Sequence, residues 1–171
     1  MRLILLRHGP AGERDPLRWS DDRDRPLTEN GIERTRLAIR GILKLEQRLT
    51  LVLTSPLARA AQSAALLVET AGFKGGPEAL ESLVPGGSWR KTMTTLAAMP
   101  ADGVVALVGH EPDLGKLAGV LLFGAPCALP LKKAGACSID FDSKAAAGAG
   151  ILRWFLPPRA LRQLAGRRSK A

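Results

Sequence analysis

The segment Met1-Arg2-Leu3-Ile4-Leu5-Leu6-Arg7-His8-Gly9-Pro10 runs a short apolar stretch directly into Arg7-His8-Gly9. A second segment repeats the arrangement in Val104-Val105-Ala106-Leu107-Val108-Gly109-His110-Glu111-Pro112. The 171-residue chain has two histidines, and each stands at the carboxyl end of one of these runs. Short, uninterrupted aliphatic runs read as strands buried on both faces. Parallel strands of an open sheet present their carboxyl ends along one edge, so this reading brings His8 and His110 into one crevice.

Working outward, Pro10 to Pro26 is polar, charged and without periodicity, a long loop and a candidate functional one. Thr28 can cap a helix, with Glu29 in its first turn and Ile32, Ile39, Ile42 and Leu43 at helical spacing. Leu51-Val52-Leu53-Thr54 is a short buried strand. Ser55-Pro56 then reads as a helix opening, Ser as N-cap and Pro at the first helical position, with good helix formers from Ala58 to Thr70 and a stop at Gly72. A short strand is expected around Ala79 to Val84, and a helix from Ser88 to about Met99. A helix over Leu114 to Leu122 follows His110, and Ala136 to Phe141 and Ile151 to Phe155 are two further strands. Strand and helix alternate through the first two thirds and two adjacent strands end the pattern. The expected fold is a three-layer α/β/α sandwich with a mostly parallel central sheet and an antiparallel edge or hairpin.

The length suits one well-cored domain, and 46% hydrophobic residues with a mean hydropathy near zero fit a soluble protein. We place this domain at 1–156. The remaining 157–171 carry Arg159, Arg162, Arg167, Arg168 and Lys170 with no acid, and read as a solvated basic tail. Removing those five charges from the net +9 leaves +4 for the body. Such a balance admits nucleic acid, anionic membranes or acidic proteins as partners, but three Trp, four Phe and no Tyr give little support to base stacking. Only four aliphatic residues lie between Arg2 and Arg7, too few for a secretory leader or a membrane span. Cys127 and Cys137 lack metal-site or disulfide-scaffold spacing and read as free thiols. A cytoplasmic location is expected.

A histidine that accepts a phosphoryl group offers one ring nitrogen to phosphorus while a backbone carbonyl holds the other. His8 at a strand end fits that role, with Arg7 beside it as a fork of donors for phosphoryl oxygens. Each residue alone has an ordinary structural explanation. The ensemble of Arg7-His8-Gly9, Thr54-Ser55-Pro56-Leu57-Ala58-Arg59 and Gly109-His110-Glu111-Pro112 closely resembles the histidine phosphatase superfamily, the phosphoglycerate-mutase-like fold. Pro26-Leu27-Thr28-Glu29-Asn30-Gly31 and Gly109-His110-Glu111-Pro112-Asp113-Leu114 match its short bacterial branch, the SixA-like phosphohistidine phosphatases, and the resemblance runs over most of Met1 to Phe155. It implies His8 as the phosphorylated nucleophile, Arg7 and Arg59 as a clamp, and His110 as a donor to the same oxygens. Neither a metal nor another cofactor is implied, since phosphoryl transfer is mostly positioning and electrostatics.

Relatives that hydrolyse phosphate esters place a carboxylic acid near the leaving oxygen. Here the matching region, Gly72 to Gly87, offers Glu78 and Glu81, neither in a recognisable motif. Only about 25 residues separate Gly76 from Asp102, which leaves no room for a large cap insertion. Glu111 and Asp113 read as acids of a helix's opening turn, Ser55 as a cap, and Gly31 and Gly86-Gly87 as backbone punctuation. An open site with a weakly placed acid favours the N–P bond of a phosphohistidine on a protein, such as a histidine phosphotransfer domain of a signalling relay. Two alternatives stay open: a small-molecule phosphomonoesterase with Glu81 as acid, and a binding module whose site merely holds anions while the basic tail contacts nucleic acid or membrane.

Overall fold

The computed structural model describes residues 1–46 and 48–166. At its centre lies β1 (Arg2–Arg7), whose alternate side chains enter opposite cores. Leu3 and Leu5 join one buried cluster, Ile4 and Leu6 the other, and all four are fully buried. Burial on both faces is why the strand reads as an unbroken apolar run. β2 (Leu51–Thr54) and β4 (Val104–Gly109) run parallel to each other, and β4 is parallel to β1 with Arg2 opposite Val104 and Arg7 opposite Gly109. The two-residue β3 (Glu78–Ala79) extends the parallel half beyond β2. On the far side of β1, β5 (Ala136–Asp140) and then β6 (Ile151–Leu156) add as an antiparallel hairpin, giving the order β3-β2-β4-β1-β5-β6. The architecture is the expected α/β/α sandwich.

Helices α1 (Glu29–Leu45) and α2 (Ala58–Ala71) cover the Ile4 face through Ile39, Ile42, Ala64 and Leu67. Helices α3 (Trp89–Ala97) and α4 (Asp113–Phe123) cover the Leu3 face through Leu96, Leu114, Leu117 and Leu121. Thr28 caps α1 as anticipated, its hydroxyl accepting the Gly31 N–H at 2.9 Å. Gly72, in the left-handed conformation at φ 62°, ends α2.

Three expectations need correction. Helix α2 starts at Ala58 after a Leu57 cap without a side-chain bond, so Ser55 is not its N-cap and Pro56 is not its first residue. Ser55 still belongs to the sheet, since its N–H donates to the Val108 carbonyl at 2.9 Å. The strand expected over Ala79 to Val84 stops at Ala79, and Glu81–Leu83 form a 3-10 turn. The domain also does not end at 156. Pro158–Gly166 form α5, with Leu161 fully buried in the cluster of Ile39 and Ile42. Gly41 permits this docking, because a Cβ there would collide with the Leu161 carbonyl. Arg167, Arg168 and Lys170 of the basic stretch lie outside the described residues.

Among the described residues, no helix is long and apolar enough to cross a membrane, and no three His, Cys, Asp or Glu side chains group as metal ligands. Cys127 is exposed and Cys137 buried, both free.

Candidate active site

Three parallel strands end on one edge of the sheet and hand over to His8, Ser55 and His110. The ladder runs one step past β1, where the His8 N–H donates to the Gly109 carbonyl at 3.1 Å. The two imidazoles lie with centroids 5.0 Å apart and planes inclined by 55°, both nearly fully buried. A carbonyl only accepts, so the 2.7 Å bond between His8 Nδ1 and the Gly9 carbonyl places the ring proton on Nδ1. The lone pair of Nε2 is then available. Gly9 itself is held by its N–H to Ser63 Oγ at 3.0 Å, and Ser63 donates to the Arg59 carbonyl at 2.7 Å, tying the β1 exit to the first turn of α2.

Arg7 and Arg59 bring charge to this edge. Arg7 donates through Nη1 to the Leu131 carbonyl at 2.8 Å. Arg59, the second residue of α2, donates through Nη1 to the Asp22 carbonyl at 2.8 Å and pairs through Nη2 with the Asp22 carboxylate at 3.1 Å. In both residues Nε is buried and has no hydrogen-bond partner among the described residues. A buried N–H left unpaired is costly, and an anion reaching these two groups would relieve that cost. Burial lowers the pKa of both guanidiniums. Burial, reinforced by His110, Arg59 and Arg7, pushes His8 down to about 3, against the upward pull of the Gly9 carbonyl. Burial together with Arg59 and Arg7 takes His110 to about 4. Both rings are neutral near pH 7, which keeps Nε2 of His8 nucleophilic.

The structure thus brings together Arg7, His8, Arg59 and His110. It does not bring Glu78 or Glu81 into a buried position: both are exposed, and Glu81 lies 4.0 Å from Arg23. Glu111 and Asp113 do more than complement a helix dipole. Asp113 accepts the Gly86 N–H at 2.8 Å, and Glu111, raised by burial, accepts the Leu131 N–H at 3.1 Å. The sequence reading missed two neighbours. Ser55 Oγ lies 2.8 Å from His110 Nε2, and Asp22, within the long loop, reaches Arg59.

A sequence profile of the histidine phosphatase superfamily (branch 1) matches residues 3–84. The chain is 39% identical to an uncharacterized protein of Picosynechococcus sp. over 138 residues, covering 79% of this chain and 82% of that one. It is 29% identical to the phosphohistidine phosphatase SixA of Escherichia coli over 160 residues, covering 92% and 94%. The chain belongs to the histidine phosphatase superfamily. Among solved structures, the protein histidine phosphatase SixA complexed with tungstate superposes at a TM-score of 0.82, with 26% identity over 94% of this chain and 99% of that one. That coverage leaves this member of the superfamily without a large insertion relative to SixA. Superfamily membership together with the likeness to SixA over nearly the whole chain supports a phosphatase.

Proposed function

We propose that this phosphatase removes the phosphoryl group from phosphohistidine on a protein, through a phosphorylated His8. The observation that carries the proposal is the pairing of a neutral His8, fixed by Gly9 with Nε2 unprotonated, with two buried guanidinium Nε–H groups that have no hydrogen-bond partner among the described residues. In the first step Nε2 of His8 forms a bond to phosphorus as the bond from phosphorus to the substrate imidazole, whose other nitrogen carries a proton, breaks and the ring leaves neutral. The electron pair of that bond leaves with the imidazole. Arg7 and Arg59 hold the equatorial oxygens, and His110 donates to the charge that gathers on them. Water then attacks phosphorus, the bond to His8 breaks, and the water's protons leave on the departing phosphate or pass to solvent as Nε2 recovers its pair.

The leaving group decides between substrate classes. An alkoxide leaves poorly without a proton, whereas an imidazole makes a smaller demand on an acid. Glu78 and Glu81 are exposed and Glu111 is committed to the Leu131 N–H, which favours the N–P substrate. SixA, phosphohistidine phosphatase by name, supports the same reading by likeness.

The test incubates the purified protein, with chelator present, with a phosphohistidine-bearing phosphotransfer protein and separately with phosphate monoesters. His8→Ala is the control and is expected to abolish turnover. Preferential His8-dependent release from phosphohistidine is the expected result. Preferential turnover of monoesters would move the substrate to small molecules, and turnover retained by His8→Ala would sink the mechanism.

A further inference from the structure

We propose that Asp22 is a built-in counter-anion of the phosphoryl site, a specificity-determining residue that shares Arg59 with the phosphoryl group and keeps free phosphate weakly bound. The inference rests on the reading that Arg7 and Arg59 hold phosphoryl oxygens.

The geometry is specific to one end of Arg59. Its side chain is 4% exposed, and both terminal nitrogens are turned to Asp22, one to the carbonyl and one to the carboxylate. Asp22 opens the 3-10 turn Asp22–Asp24, which Asp21 caps by accepting the Arg23 N–H at 2.8 Å. The loop that carries the turn is closed at its base by the Ala11 to Leu27 bridge and by Arg25 Nη1, which donates to the Gly12 carbonyl at 2.7 Å. The carboxylate is therefore held in place and does not merely brush against the site. Arg25 at 2.7 Å and Arg14 at 3.3 Å share it, and together with Arg59 they keep its pKa well below the usual carboxylate range. It is therefore negatively charged at neutral pH. His110 also lies within reach of that charge.

A phosphoryl dianion entering between Arg7 and Arg59 is attracted by two guanidiniums and repelled by this fixed carboxylate. A phosphoryl group delivered on a folded protein is positioned by the rest of that protein and depends little on the site's affinity for a bare anion. Free phosphate has nothing else to hold it. Asp22 thereby favours protein-borne phosphoryl groups over the product ion.

Asp22→Asn keeps an oxygen for Arg59 Nη2 and leaves the backbone carbonyl for Nη1, removing the charge alone. Asp22→Ala removes the charge and the side chain, and guards against an Asn that disturbs the turn. Binding of inorganic phosphate to the full chain is measured by calorimetry at low ionic strength, with thermal transitions confirming that both variants are folded. Phosphate is expected to bind about fivefold to tenfold more tightly to the variants than to the wild type, as expected for loss of one like charge near a partly exposed site. A residue that only braced Arg59 would give the opposite sign, so unchanged or weaker binding in both variants overturns the inference. If the wild type and both variants fail to bind phosphate, the phosphoryl-site reading falls and takes the inference with it. Tightening supports the inference whether or not phosphohistidine is turned over, so the two failures are separable.

Discussion

Ser55 is fully buried, and its hydroxyl meets two groups, the Leu57 N–H at 3.3 Å and His110 Nε2 at 2.8 Å. The hydroxyl accepts from the Leu57 amide, and a bond in which it gives its own proton to Nε2 would leave the ring proton of His110 on Nδ1. Ser55 then acts as a positioning residue. Ser55→Ala is expected to lower kcat by about tenfold, less than loss of a proton donor itself, with Ser55→Thr restoring part of it. Nitrogen NMR of His110 gives the independent readout: the Nδ1–H tautomer dominates in the wild type and is lost in Ser55→Ala. An unchanged tautomer and rate in the variant would remove Ser55 from the site. At this scale the sequence made Arg7, His8, Arg59 and His110 legible because each sits in a local context, a strand end or a helix opening, that fixes where its side chain goes. Ser55 and Asp22 were opaque as site residues for a physical reason. Their partners lie 55 and 37 residues away, and short polar side chains beside Pro or in acidic turns have a local use that reads equally well.

Helix α5 carries the same lesson among elements. Ala160, Leu161, Leu164 and Ala165 recur at helical spacing, but the arginines between them made the stretch look like a solvated tail. Only Leu161 is fully buried, and it is admitted by Gly41, a position on α1 whose missing side chain says nothing about a partner that lies far along the chain. The strands were legible because aliphatic runs buried on both faces have few other uses, and α2 was placed with its start wrong because the Ser55 N–H remains bonded to the sheet and the helix opens only at Ala58. Leu161→Ala is expected to destabilise the fold by about 2–4 kcal/mol, read as a lower urea midpoint, through lost burial and the cavity left behind. Turnover per folded molecule should hold, since among the described residues no hydrogen bond or ion pair links α5 to His8 or His110. A midpoint shift near zero would mean that α5 is not docked in solution.

The whole molecule couples its chemistry to acid sensitivity. His8 and His110 titrate at about 3 and about 4 when folded and near 6.5 when unfolded. Between these values the unfolded chain binds more protons, so stability is complete above about pH 6.5 and falls as pH drops, by about 1.4 kcal/mol per pH unit for each histidine. Asp22 and Asp140, lowered by their arginine partners, act in the same direction only below about pH 4, and Glu111, raised by burial, opposes the histidines just above the ordinary carboxylate range. The urea midpoint is expected to be lower at pH 5 than at pH 7, and His110→Gln should reduce that difference by about half. A midpoint independent of pH over this range would contradict the burial of neutral rings. One feature of the sheet reaches back to synthesis. Of the strands of this sheet β1 is synthesised first, yet its two neighbours are β4 and β5. The strand that delivers His8 waits unpaired until Val104–Gly109 and then Ala136–Asp140 have emerged. A nascent or prematurely ended chain lacking those segments carries the nucleophile without the sheet that orients it, and exposes an aliphatic stretch for chaperones to shield.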